Sequence, residues 1–185
     1  MGDPKKQGKK FETPRFPWRT DILAGELKIV GQYGLRNKRE LWRHKSMLSK
    51  FRSTARSLLG MSGDQKYVLE GHLIGRLKRI GILSENAVLD NVLDMSIEDI
   101  LERRLQTIVF RRNLSSSVQQ ARQFIVHGHI AIHGKKVSVP SYLVLKDEED
   151  DVSYSSLSPF SDSEHPLRKE TELNKLEEIN NEQEK

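Results

Sequence analysis

Leu101-Glu102-Arg103-Arg104-Leu105-Gln106-Thr107-Ile108-Val109-Phe110-Arg111-Arg112 opens the stretch that decides the fold, and that stretch runs on to Lys146. At about 100° per residue, Leu101, Leu105, Ile108 and Val109 share one face, which predicts a single helix over 101–112. Arg104, Thr107 and Arg111 follow at i, i+3 and i+7 as a stripe beside it. The Ser115-Ser116-Ser117 run breaks the helix and offers an N-cap oxygen to the next one. Free N–H groups at that helix start would suit a phosphate. The second helix is predicted from Val118 to His127 and closed by Gly128. Val118, Ala121 and Ile125 face inward, and Gln119, Gln120, Gln123 and His127 face away. Arg122 falls on the flank of the apolar face, which gives it a partly structural role. A hairpin follows: His129 to Ile132, a His133-Gly134 turn, then Lys135 to Val139, stopped by Pro140. Ile130, Ile132, Val137 and Val139 alternate inward. Residues 102–146 hold eight Lys/Arg against one Glu. A helix-helix-hairpin unit this small and this basic suits a polyanion.

The composition sets outer bounds. Over 185 residues, hydrophobic content is 36% and aromatics 6%, low for a compact enzyme and usual for a chain that packs on something larger. The formal charge of +5 hides a pattern: +10 for residues 1–60, −3 for 61–101, +7 for 102–146 and −9 for 147–185. Two basic blocks separated by a near-neutral one predict two contact surfaces for a polyanion. There is no cysteine, hence no disulfide and no cysteine-held zinc, which fits a reducing cytosol. No apolar run approaches the roughly 20 residues of a membrane span. Met1-Gly2-Asp3-Pro4-Lys5-Lys6 continues into charge, unlike a secretory signal, and Pro4 argues against myristoylation of Gly2. The expectation is a soluble, cytoplasmic protein.

Residues 1–19 interleave Phe11, Phe16 and Trp18 with cations and prolines. Such an arm is too polar to fold alone and could order against RNA, with rings to stack on bases. Thr20 to Tyr33 is predicted helical, with Leu23, Leu27 and Val30 inward and Gly34 as its stop. Asn37 caps the next helix and Glu40 completes a capping box. That helix can run to Leu59, with Leu41, Leu48, Ala55, Leu58 and Leu59 near one face. Its cations meet only one carboxylate, Glu40, between Leu35 and Leu59, so a polyanion should neutralise them. Gly60 to Gly63 breaks the chain. Tyr67 to Ile80 resumes a helix with Val68, Leu69, His72, Leu73, Leu77 and Ile80 on its apolar side, which makes His72 a core histidine. Ser84 or Asn86 caps a short helix through Leu93, and Ser96 caps the next with Asp99 three residues on. Tyr142 to Leu145 can add an extended strand, and five acids follow from Asp147 to Asp151. From Ser161 the chain is acidic and without aromatics; it reads as a disordered tail, aimed at solvent or a basic neighbour.

Arg103-Arg104-Leu105, Ala121-Arg122-Gln123, His127-Gly128-His129, Gly134-Lys135-Lys136-Val137 and Pro140-Ser141-Tyr142 together resemble the small RNA-binding domain named after ribosomal protein S-four, the alpha-L motif. Its usual turn dipeptide is Asn-Gly, where this chain has His133-Gly134. Tyr33-Gly34-Leu35-Arg36-Asn37-Lys38-Arg39-Glu40 resembles the N-terminal domain of the S-four ribosomal family, and Met1-Gly2-Asp3-Pro4-Lys5 leans towards its archaeal branch. The resemblance implies an α+β fold: a basic arm (1–19), a mainly helical domain (20–101), the small RNA-binding domain (102–146), a segment returning to the first domain (147–160), and the disordered tail (161–185). It also implies a structural constituent of the small ribosomal subunit that binds ribosomal RNA early, nucleates assembly and supports decoding accuracy with ribosomal protein S-five. The alternatives are a pre-ribosomal assembly factor of the same family, or an RNA-modifying enzyme carrying the domain as an appendage.

The candidate RNA-binding residues are Arg36, Lys38, Arg39, Arg43, Lys45, Lys50, Arg52 and Arg56 in the first block. In the second they are Arg103, Arg104, Arg111, Arg112, Ser116, Gln120, Arg122, Gln123, His127, His129, Lys135 and Lys136. No catalytic constellation, phosphate loop or nucleophile elbow is present. His127, His129 and His133 have no acid or cysteine beside them to complete a metal site. No cofactor, metal, small-molecule substrate or membrane partner is expected.

Overall fold

The computed structural model describes residues 8–162 together with His165, Pro166 and Arg168. Seven helices lead into a small sheet: α1 (Thr20–Gln32), α2 (Lys38–Leu59), α3 (Asp64–Ile80), α4 (Leu89–Asp94), α5 (Ile97–Glu102), α6 (Leu105–Arg111) and α7 (Val118–His127), then β1 (Ile130–Ile132), β2 (Lys135–Lys136) and β3 (Val152–Tyr154). A 3-10 turn covers Pro159–Ser161. The architecture is α+β. The sheet is antiparallel, with strand order β2-β1-β3. Residues 1–7 of the arm and residues 163, 164, 167 and 169–185 of the tail lie outside the described residues. The start of the tail, expected to be disordered, is seated instead: Ser161 closes the 3-10 turn, the His165 ring meets Phe160 at 4.7 Å, and the Arg168 guanidinium lies 5.7 Å from the Tyr154 ring centroid.

Two apolar cores underlie two units. α2, α3 and α4 bury Leu48, Phe51, Ala55, Leu58, Leu77 and Val92 in the first, and Ile100 of α5 joins them. α6, α7 and the sheet bury Leu105, Ile108, Val109, Phe124, Ile125, Ile130 and Val152 in the second. A third cluster of Tyr33, Leu35, Leu41 and Leu101 fills the seam between α1, α2 and α5. α2 starts and stops where the sequence says: Asn37 Oδ1 accepts from the Glu40 N–H at 3.2 Å, and the helix ends at Leu59. Ser96 and Asp99 form a reciprocal cap on α5. The His133-Gly134 turn has φ of 49° and 74°, the left-handed pair a two-residue hairpin needs.

The structure departs from the sequence reading at several places. The helix predicted over 101–112 is two helices, broken at Arg103 and Arg104. Arg104 is extended (φ −72°, ψ 141°) and forms an isolated antiparallel bridge with Leu143. The N–H groups that open α6 donate to the chain coming back: Leu105 to Tyr142 O at 2.8 Å and Gln106 to Pro140 O at 3.4 Å. Pro140 and Tyr142 therefore cap α6 by backbone, and the expected extended strand over Tyr142 to Leu145 is reduced to the single bridge of Leu143 with Arg104. Residues 147–160 do not simply return to the first unit. Leu143 packs on the first core and the Lys146 N–H donates to Arg79 O at 2.9 Å, but Val152–Tyr154 then pairs with β1 as β3.

Side-chain placement also shifts. Leu27 is 60% exposed, and α1 buries only Glu26, which the Trp42 indole and the Lys45 ammonium reach at 3.0 and 2.8 Å. α1 is held to α2 by these polar contacts together with half-buried Ile29 and Val30, which pack on the Tyr33–Leu41 cluster. Val68, Leu69 and His72 lie on the exposed side of α3, so His72 is not a core histidine. Leu59 and Val139 are exposed as well. Part of the arm is already seated without RNA: the Phe11 ring lies 6.0 Å from Trp42, and the Glu12 N–H donates to Ser46 Oγ at 2.9 Å.

Candidate nucleic-acid interface

The two basic blocks meet at one carboxylate. Gly34 turns the chain between α1 and α2 with φ of 56°, and a Cβ there would collide with Val118 and Gln106 of the second unit. Gln106 is fully buried and its Nε2 donates to Gly34 O at 2.9 Å and Val118 O at 3.0 Å, stitching the units together. One turn into α2, Glu40 points into the seam rather than back to its cap. Its Oε2 accepts from Arg104 Nη2 at 2.9 Å and its Oε1 from Arg122 Nη2 at 2.7 Å. Burial alone would raise the Glu40 pKa, but the Arg122 and Arg104 guanidinium groups outweigh it and hold the carboxyl below its usual range.

Arg104 is fully buried. Its Nη1 donates to His44 Nε2 at 3.3 Å, while His44 Nδ1 lies 2.7 Å from the Glu40 carbonyl oxygen. Only a neutral imidazole with its proton on Nδ1 satisfies both contacts. Burial, and then the charge of Arg104, push the His44 pKa down to about 4, so that tautomer is the stable one at neutral pH. Two arginines, one glutamate and one neutral histidine form a network across the seam, which Arg122 Nη1 extends to Gln106 Oε1 at 3.3 Å and in which the buried Arg104 Nε has no partner among the described residues.

The predicted site residues divide by environment. On α2, Arg39, Arg43 and Lys50 follow at i, i+4 and i+11 and share a face opposite Leu41, Leu48 and Ala55. These three, with Arg36 and Arg56, are exposed and form no ion pair among the described residues. Lys38 and Lys45 instead pair with Glu26 at 3.5 and 2.8 Å. Arg52 is half-buried and donates to Met95 O at 2.5 Å. In the second unit, Gln123, His127, Lys135 and Lys136 are exposed. Lys136 lies directly over Gly128 at the C-terminus of α7, where any Cβ would overlap its Cε and where a cation suits the helix dipole.

Several others are occupied within the protein. Arg103 bridges to Glu149 at 2.6 Å and to Val144 O at 3.2 Å. Arg111 pairs with Glu102, and Arg112 with Asp150 at 2.6 Å. Ser116 and Gln120 bond to each other at 2.6 Å, and Ser117 caps α7 through the Gln120 N–H, so that helix start is largely satisfied from within. His129 packs edge-on to Phe160 and lies 3.0 Å from Ser158 Oγ. Arg104, named among the candidate RNA-binding residues, is fully buried and cannot face a ligand and hold Glu40 at once. Sequence reasoning missed Gln106 and Phe124, and it gave Glu40 no role beyond a cap. A lone acid inside a run of cations was the available signal.

Among the described residues no group of three or more His, Cys, Asp or Glu is placed to share a metal ion, and no helix is long and apolar enough to cross a membrane. His133 lies 2.7 Å from Asp151, away from the His127–His129 pair.

This helix-turn-helix and hairpin arrangement is that of an S4 domain, and the S4 domain family model matches residues 103–152. The match extends to whole proteins. The chain is 48% identical over 181 residues to the small ribosomal subunit protein uS4 of Picrophilus torridus, covering 96% of this chain and 99% of that one. It is 52% identical to the uS4 protein of Hyperthermus butylicus over 87% of this chain and 92% of that one, and 49% identical to that of Thermoplasma acidophilum over 91% and 86%. The chain belongs to the uS4 family of small ribosomal subunit proteins.

Proposed function

We propose that this chain is a structural, non-enzymatic constituent of the small ribosomal subunit, resident with it in the cytoplasm, and that it binds ribosomal RNA through two basic surfaces held in fixed relation. The observation that carries the reading is the seam: Glu40 draws Arg104 and Arg122 of the S4 domain onto α2 at 2.9 and 2.7 Å. The exposed Arg39, Arg43 and Lys50 of α2 and the exposed Gln123, His127 and Lys136 of the S4 domain are thereby carried on two units joined through one carboxylate. Such cations displace counterions along a phosphate backbone, and affinity falls steeply with salt. Specificity follows from shape, because the deep groove of A-form RNA hides its base edges. A rigid pair of surfaces selects RNA in which helices already meet at the matching angle, which suits a protein that binds early and nucleates assembly.

Ribosomal protein S-five is the neighbour through which the chain would support decoding accuracy, a role that rests on the family resemblance. The reading is tested by expressing tagged chain in an archaeal host and sedimenting the lysate. Stable migration with mature small subunits is expected; migration only with immature particles would instead fit the assembly factor.

A further inference from the structure

The groove between α2 and α3 encloses about 830 Å³. Met47, Phe51, Leu58 and Leu73 form its apolar floor, while Met61 and Leu69 at its mouth stay 38% and 46% exposed. Lys10, Arg43, Lys50 and Arg76 edge it, and no carboxylate among the described residues lines it. The Arg76 guanidinium sits over the Phe51 ring at 5.7 Å, so this edge is fixed. A duplex could use the rim, but its phosphates would leave the aliphatic floor exposed to water. An acidic segment with aliphatic anchors satisfies both.

The chain carries such a segment. Seventeen residues follow Arg168, with Glu170, Glu172, Glu177, Glu178, Glu182 and Glu184 set against three lysines. Leu173, Leu176 and Ile179 recur every third residue among them, the spacing by which an amphipathic helix lays anchors into a groove. Extended, seventeen residues reach at most roughly 60 Å, against a diameter of roughly 40 Å for a body of this size. We propose that residues 169–185 dock in the α2–α3 groove of their own chain, and that RNA must displace them to engage Arg43 and Lys50. The docking is independent of the ribosomal reading; the displacement rests on it.

The absence of cysteine makes the test clean. A nitroxide attached to the full chain at Gln183→Cys should attenuate the backbone amide signals of Met61, Leu69 and His72 by at least half relative to the reduced label. A Leu173→Asp/Leu176→Asp/Ile179→Asp variant should restore them, and so should an excess of short duplex RNA. No attenuation, or attenuation that survives loss of the three anchors, overturns the docking. Attenuation that grows with protein concentration assigns the groove to a second copy and overturns docking within one chain. Attenuation that RNA leaves unchanged overturns the displacement and, with the docking intact, points at the proposed RNA surface instead.

Discussion

Glu40 of α2 accepts from Arg104 of the S4 domain at 2.9 Å, and this one contact ties the burial of an arginine to the relative placement of two basic surfaces. The same carboxylate holds Arg122 at 2.7 Å. A buried guanidinium is costly unless fully paired, so neither unit can swing away without stranding a charge.

Replacing Glu40 with Gln should therefore destabilise the protein by about 3–5 kcal/mol, the usual cost of breaking a buried pair from one side. Urea unfolding of the variant measures it. A loss below about 1 kcal/mol would mean that solvent enters the seam and screens Arg104.

Arg104→Glu and Lys135→Glu should part company. The first places an acid beside Glu40 and should unfold the S4 domain. The second changes an exposed turn cation and should alter stability by no more than about 0.5 kcal/mol, while weakening RNA binding. Circular dichroism melts with parallel filter binding separate the two; equal melting temperatures would remove Arg104 from the core network.

His44 supplies a pH signature. Its pKa falls from 6.5 in the unfolded chain to about 4 in the folded one. Between those values the unfolded state binds a proton that the folded state refuses, so its contribution is complete above pH 6.5 and is lost as pH falls towards 4. The lost stability is roughly 3 kcal/mol, and protonation of Glu40, itself held low, adds to the loss at lower pH. Denaturant midpoints measured from pH 7.5 to 4 should fall, and His44→Gln should flatten the curve above pH 4.5. An unchanged slope in that variant would exclude His44 as its source.

Much of the fold was legible because local signals agreed. Asn37 marks the start of α2, Ser96 with Asp99 that of α5, and His133-Gly134 the hairpin turn; each is read from three or four consecutive residues. The failures at Arg104 and Leu27 are long-range, while the cap of α4 is a local one: Val88 rather than Ser84 or Asn86 opens it. Arg103 and Arg104 fit a helix by period, and only the returning backbone at Tyr142 and Leu143 pulls Arg104 extended. Leu27 fits an apolar face, yet it stays exposed while α1 docks through Ile29, Val30 and Glu26, because Trp42 and Lys45 of α2 were invisible as partners of Glu26. For the interface, the sequence identifies the cations but not their pairing. Arg39 and Arg43 face solvent while Arg103, Arg112 and Arg122 are held by Glu149, Asp150 and Glu40, and periodicity along one helix cannot distinguish them.

The central claim is that two locked basic surfaces read the shape of folded RNA. It is tested most directly by titrating salt against binding to folded small-subunit ribosomal RNA and to an unrelated duplex of equal length. The account predicts much tighter binding to the ribosomal RNA, a steep salt slope for both, and a slope reduced by roughly one unit for each of Arg39, Arg43 and Lys50 neutralised. Equal affinity for the two RNAs at every salt concentration would contradict it.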